Sequence, residues 1–134
     1  MSLDIQQRER EGVIILDLKG RLTMGEEAGT FRSAVLRVSE NPNVNLVLNM
    51  AHVDYVDSTG LGALVMCSST VKKTGGRIKL LNLTRRNIEL LVMTKLATIF
   101  EIFNDEQEAL NSFFPDREIK TFDILSFVKE LRDE

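Results

Sequence analysis

The chain is organised around residues 53–64, Val53-Asp54-Tyr55-Val56-Asp57-Ser58-Thr59-Gly60-Leu61-Gly62-Ala63-Leu64. An apolar run ends here, a short acidic turn follows, and a pair of hydroxyl residues opens a predicted helix. Ser58 stands where a helix N-cap belongs, because its hydroxyl could accept from an unpaired backbone N–H of the first turn. Glycine inside a helix costs about 1 kcal/mol relative to alanine. Gly60 and Gly62 therefore indicate either a close approach to the backbone or an ordinary capped turn.

The residues around this stretch alternate between strand and helix patterns. Strands are predicted over residues 3–9, 13–18, 44–50, 77–82 and 99–103. Helices are predicted over 26–39 and 58–74, after an N-cap at Thr84, from an N-cap at Asn104 to Pro115, and over 122–131. This order predicts an α/β fold with an N-terminal β-hairpin and a mixed, mostly parallel sheet covered by helices. In such sheets the functional crevice lies beyond the carboxyl ends of the strands. Asp57-Ser58-Thr59-Gly60 falls at such an end.

Composition restricts the classes of function. The 134 residues, 43% of them hydrophobic, are typical of one soluble globular domain. A net charge of −3, with no more than two consecutive basic residues, argues against direct nucleic-acid binding. No apolar run approaches the roughly 20 residues of a membrane span. Residues 1–7 lack a signal-peptide pattern and Cys67 is the single cysteine, so a reducing cytoplasm is expected.

Residues for catalysis are few. One histidine, His52, and one cysteine, Cys67, form no recognisable nucleophile–base signature. Gly60-Leu61-Gly62 lacks the remaining spacing of a dinucleotide-binding fingerprint. No set of His, Cys, Asp and Glu has metal-ligand spacing, and Asp54 and Asp57 on the predicted turn are either a weak cation pair or solvated acids. We therefore expect a protein that is not an enzyme and that uses no cofactor or metal.

The predicted helix start is chemically suited to carrying a phosphate, because free N–H groups and the helix dipole favour negative charge there. Phosphorylation of Ser58 would add about −1.5 to −2 charge, beside Asp57 and facing any partner packed on Gly60 and Gly62. A loss of about 1.4 kcal/mol is already tenfold in affinity. Ser58 is thus the candidate switch, with Thr59 as the alternative acceptor.

These residues resemble the signature of STAS domains, specifically of bacterial anti-sigma factor antagonists. The resemblance is carried by residues 44–49 and 56–64, with Gly20-Arg21-Leu22, Gly75-Gly76-Arg77-Ile78 and residues 96–103 as further landmarks in matching order. It implies a STAS domain over residues 1–115, with a STAS-like mixed sheet, and a C-terminal helical extension over residues 116–134.

The resemblance implies partner switching in sigma factor regulation, and hence in the regulation of transcription. In that family the unphosphorylated antagonist, or anti-anti-sigma factor, binds an anti-sigma factor that is also a serine kinase. Phosphorylation of the serine after the motif aspartate, here Ser58, ends this binding, and a serine phosphatase resets the cycle. ATP belongs to the kinase. The implied partner-binding residues are Thr23, Asp57, Ser58, Thr59, Gly60, Leu61 and Gly62, with Thr23 standing where many members have an acidic residue. A cytoplasmic phosphoprotein, monomeric or weakly dimeric, is expected.

One alternative keeps the fold and changes the role. A STAS scaffold in a stress-sensing assembly, or an accessory subunit of a lipid-transport complex, would dock a constant partner through the same helix without a phosphate cycle. A hydrolase using Ser58 lacks a plausible general base nearby in the sequence.

Overall fold

Five strands form one sheet in the order β1-β2-β3-β4-β5 in a computed structural model that describes residues 3–117 and Val128. The strands are β1 (Leu3–Arg10), β2 (Val13–Leu22), β3 (Asn45–Val56), β4 (Arg77–Leu81) and β5 (Glu101–Phe103). The helices are α1 (Glu26–Val38), α2 (Ser58–Lys73), α3 (Arg85–Met93) and α4 (Glu106–Asn111), with a 3₁₀ turn at Leu96–Thr98. β1 is antiparallel to β2, and the other neighbouring strands are parallel. The predicted α/β class and hairpin are confirmed.

The sheet is covered unequally on its two faces. Helices α1, α2 and α3 pack on one face over a large apolar core that includes Leu16, Leu48 and Leu80 from the three central strands. The short helix α4 covers part of the other face, where a smaller cluster includes Phe103 and Phe113. Because each parallel crossover returns to the amino edge of the sheet, β2, β3 and β4 all end at the same carboxyl edge. Helix α2 begins at that edge.

Strand β3 is longer than its sequence indicates. The predicted acidic turn at Asp54 and Tyr55 is wrong, because β3 continues to Val56 and its last pairs join Val56 to Leu22 of β2. A register shift between β2 and β3 lets the strand bulge there. Val53 and Val56 stay buried under the helices while Asp54 stays exposed, so the burial of the valines outweighs the poor strand preference of aspartate.

The helix ends confirm some predictions and correct one. Thr84 caps α3 by accepting a hydrogen bond from the Asn87 backbone N–H, as predicted. Gly75 follows α2 with a positive φ of 80°, which is the conformation that glycine tolerates. The predicted cap at Asn104 is wrong, because Asp105 is the N-cap of α4 and accepts from the Glu108 N–H at 2.9 Å. The helix predicted over 122–131 lies outside the described residues except for Val128.

Strand β1 and helix α4 are joined by the ion pairs of Arg8 and Arg10 with Glu106, which we call the ionic clasp. Arg8 donates to Asp17 on the neighbouring strand at 2.6 Å and also pairs with Glu106 of α4, 98 residues away. Arg10 pairs with the same glutamate. The pKa of Glu106 is held at about 2, chiefly by its hydrogen bond with Arg8. The clasp therefore fixes α4 against the β1–β2 hairpin.

Candidate partner-binding surface

Asp57, and not Ser58, is the N-cap of helix α2. The Asp57 Oδ1 atom accepts from the Gly60 N–H at 2.8 Å, and Ser58 is already the first helical residue. The predicted cap was therefore wrong by one residue. The physical reason is a second donor, since Asp57 Oδ2 accepts from the Met24 N–H at 3.0 Å and only a carboxylate offers both acceptors.

This double hydrogen bond ties the helix start to the loop between β2 and α1. Backbone donors at Gly60 and Met24 hold the pKa of the Asp57 carboxyl below its usual value. The Asp57 N–H also donates to the Leu22 carbonyl oxygen at 3.3 Å. A fixed negative charge therefore stands directly beside the Ser58 hydroxyl.

The two glycines of the motif have different roles. A Cβ on Gly60 would lie 2.9 Å from the Leu22 carbonyl carbon and 3.0 Å from Val56 Cγ1, so α2 here approaches the backbone of β2 closely. A Cβ on Gly62 would meet nothing within 4 Å, and the residue is exposed. The close approach predicted from the sequence is thus internal at Gly60. At Gly62 the helix backbone is exposed, with no side chain covering it.

The predicted partner-binding residues divide by exposure. Ser58, Thr59 and Gly62 are exposed, Thr23 and Asp57 are half-buried, and Gly60 and Leu61 are buried. The buried pair supports the surface from below and presents no side chain on it. The hydroxyls of Thr23, Ser58 and Thr59 accept and donate no hydrogen bond within residues 3–117, so each remains open to an external group. Thr23 contributes its backbone instead, since its carbonyl accepts from the Ala28 N–H at 3.1 Å.

Exposed apolar side chains that the sequence did not single out adjoin this helix start. Met24, whose N–H binds Asp57, is 73% exposed. Met66 is 41% exposed and lies two turns beyond Ser58 on α2; with Leu36 of α1, 51% exposed, it lines an apolar groove between the two helices. The signal available in the sequence was the spacing of four that puts Ser58, Gly62 and Met66 on one helix face. Ser58, Gly62 and Met66 together form an exposed strip that presents a hydroxyl group, helix backbone without a side chain, and a thioether.

The candidates for other chemistry are either buried, exposed elsewhere or already engaged. Cys67 is buried within α2, and burial raises the pKa of its thiol to about 12. His52 and Asp54 are exposed on β3, while the Asp57 carboxylate is engaged by backbone donors. Within residues 3–117 no three His, Cys, Asp or Glu side chains form a group that could hold a metal. Over the same residues, no helix combines the length and the apolar character required to traverse a bilayer.

Fold and site together define a small α/β module whose carboxyl sheet edge presents a firmly capped helix start, with exposed hydroxyl and apolar groups beside it. The chain belongs to the STAS domain family, whose model matches residues 4–109. The anti-sigma-B factor antagonist of Bacillus subtilis (strain 168) is 32% identical over 102 residues, covering 76% of this chain and 92% of that protein.

Two further proteins are similar to this chain at lower identity. The anti-sigma F factor antagonist of Paenibacillus polymyxa is 24% identical over 110 residues, covering 82% of this chain and 94% of that protein. The crystal structure of a putative anti-sigma factor antagonist from Thermotoga maritima superposes with a TM-score of 0.73 at 24% identity, covering 81% of this chain and 92% of that chain. The last comparison supports the fold.

Proposed function

We propose that this protein is an anti-sigma factor antagonist. In its unphosphorylated form it binds an anti-sigma factor in the cytoplasm and so releases a sigma factor. The observation that carries the proposal is the match to the anti-sigma-B factor antagonist at 32% identity over 92% of that protein's length. The exposed strip at Ser58, Gly62 and Met66 supplies a surface for such binding.

We further propose that Ser58 is the switch. Its hydroxyl is exposed at the first helical position, so a kinase can reach it without unfolding the helix. A phosphate there adds about −1.5 to −2 charge. The neighbouring N–H groups neutralise this phosphate charge poorly, because the Gly60 N–H already donates to the Asp57 carboxylate. The added charge therefore faces outward, where it opposes a bound partner.

The chemistry of the cycle is proposed to reside in the partners. The anti-sigma factor acts as the serine kinase and binds the ATP, and a serine phosphatase restores the hydroxyl. This chain is proposed to act by binding and to carry no catalytic centre. The protonated, buried thiol of Cys67 is consistent with that role, since the thiolate is the nucleophilic form.

The test is affinity capture from the source organism with immobilised wild type, Ser58→Ala, Ser58→Asp and Thr59→Ala chains. Wild type and Ser58→Ala are expected to retain one anti-sigma factor of the kinase type, and Ser58→Asp to lose at least tenfold in affinity for it. Incubation of the captured kinase with ATP is expected to modify wild type and Thr59→Ala but not Ser58→Ala.

Three results would count against parts of the proposal. Modification of Ser58→Ala would move the switch to another hydroxyl, with Thr59→Ala as the deciding control. Equal binding of wild type and Ser58→Asp would remove the switch and favour a scaffold or accessory role with a constant partner. Capture of no anti-sigma factor by the wild type would remove the function itself.

A further inference from the structure

Three exposed cations lie at the same sheet edge as Ser58. The Arg86 guanidinium, at the start of α3, stands 4.7 Å from the centroid of the Tyr55 ring at the end of β3. On the neighbouring strand, Arg21 is paired in register with Tyr55, and Lys19 with His52. We call Lys19, Arg21, Tyr55 and Arg86 the basic patch.

The basic patch adjoins the helix start directly. Leu22, the residue after Arg21, pairs in register with Val56 and accepts the Asp57 N–H through its carbonyl oxygen. Ser58 follows Tyr55 by three residues. A partner seated over Ser58 is therefore next to the backbone segments that carry the patch.

The charges of the patch are left unneutralised by the fold. Elsewhere within residues 3–117, Arg8, Lys79, Arg85 and Arg117 each pair with a carboxylate, whereas no ion pair is formed by Arg32, Arg37, Lys72, Lys73 and Lys95, so it is the grouping of the three cations that sets the patch apart. Lys19, Arg21 and Arg86 form no ion pair within residues 3–117, although exposed Asp54 and the Asp57 carboxylate, which is bound by backbone donors, lie in the same region. The chain as a whole carries a net charge of −3, so this concentration of positive charge runs against the overall balance.

We infer that the basic patch receives an acidic segment of the anti-sigma factor, an inference that rests on the proposed function. The ring of Tyr55 holds the Arg86 guanidinium in place, and a guanidinium binds a carboxylate through two parallel hydrogen bonds. Opposite charges at the rim of an interface accelerate association more than they deepen affinity. The same arrangement gives the Ser58 phosphate its effect, because a new negative charge would then face an acidic segment and repel it.

The rate at which this chain associates with the anti-sigma factor is the most direct test of this inference. Immobilised anti-sigma factor, identified by capture with the wild type, is exposed to wild type, Arg86→Gln, Arg86→Glu and Arg37→Glu. Arg37 is an exposed arginine in the last turn of α1, at the opposite sheet edge, so Arg37→Glu makes the same change of net charge away from the patch. At about 50 mM salt we expect association to slow about threefold for Arg86→Gln and about tenfold for Arg86→Glu. At about 300 mM salt these differences should shrink, since screening shortens the reach of the charges.

Other outcomes separate the two proposals. If the wild type binds the anti-sigma factor and Arg86→Glu associates as fast at low salt, the acidic segment is disproved while the function stands. Equal slowing by Arg37→Glu also disproves it, because net charge alone would then explain the rate. Binding of the wild type to phosphatidylglycerol vesicles, lost in Arg86→Glu with unchanged anti-sigma binding, would assign the patch to a lipid surface instead. A wild type that binds no anti-sigma factor removes both proposals. Thermal unfolding of each variant verifies that the folded state is intact.

Discussion

Replacement of Gly60 by alanine is expected to destabilise the fold, whereas the same replacement at Gly62 is expected to stabilise it. A Cβ at Gly60 would come within 2.9 Å of the Leu22 carbonyl carbon, and nearer still to its oxygen. These atoms belong to the backbone of β2 and cannot rotate away, so α2 must shift. Overpacking costs about 1–3 kcal/mol, and we take the upper value because the obstacle is backbone.

Helix propensity acts in the opposite direction, since alanine is favoured over glycine by about 1 kcal/mol in a helix. The expected net change in unfolding free energy is therefore a loss of about 2 kcal/mol for Gly60→Ala and a gain of about 1 kcal/mol for Gly62→Ala. Gly29, in the first turn of α1, is the matched control, because a Cβ there also meets nothing within 4 Å and the residue belongs to another helix. Gly29→Ala should gain as much as Gly62→Ala.

Urea unfolding followed by far-ultraviolet circular dichroism measures all three variants. The two open positions should differ in one respect only, namely that Gly62→Ala weakens binding to the anti-sigma factor and Gly29→Ala does not. Equal stability of Gly60→Ala and Gly62→Ala would refute the reasoning, because the two glycines would then share one environment. A Gly62→Ala chain that binds as tightly as wild type would show that the bare backbone at this position faces no partner.

Three further results are expected. Asp57→Ala should lose about 1–2 kcal/mol of unfolding free energy through the lost cap, and Asp57→Asn, which keeps one acceptor, should lose less in the same urea titration. The pKa of Glu106 is about 2 in the fold, against an ordinary value of 4.5. Its contribution to the free energy of unfolding is therefore complete above about pH 4.5 and is lost as the pH falls towards 2. In an acid titration, the unfolding free energy of Glu106→Gln should fall less steeply over that range than that of the wild type. Cys67 should resist a thiol reagent at about pH 8 in the folded protein and react once urea unfolds it, whereas rapid reaction of the folded chain would contradict its burial.

Periodicity predicted the elements well and their junctions poorly. The helix predicted over 26–39 has apolar residues at the spacing of one helix face, and it is present as α1 with Phe31, Ala34, Val35 and Val38 buried. The apolar run predicted as a strand over 44–50 is present within β3. The end of β3 could not be predicted, because Asp54-Tyr55 has the composition of a turn. Its strand conformation depends on pairing with β2, more than thirty residues earlier in the chain.

At the site, too, the sequence alone does not predict which atoms form the deciding contacts. Aspartate and serine are both favoured N-cap residues, so the sequence alone left the choice at positions 57 and 58 undecided. The deciding donor is the Met24 N–H, which is 33 residues distant and becomes a neighbour only in the folded chain. Likewise, Gly60 and Gly62 are equivalent in the sequence, and only the position of the Leu22 carbonyl distinguishes them.

The ion pair between Arg117 and Glu11, at 2.9 Å, fixes the position of residue 117 relative to the sheet. Glu11 lies in the β1–β2 turn at the amino edge of the sheet, and the ten residues of β2 separate that edge from the Ser58 edge. Ten strand residues span about 30 Å. The backbone at Arg117 therefore lies about 30 Å from Ser58, and a segment that starts there needs about nine extended residues to approach Ser58.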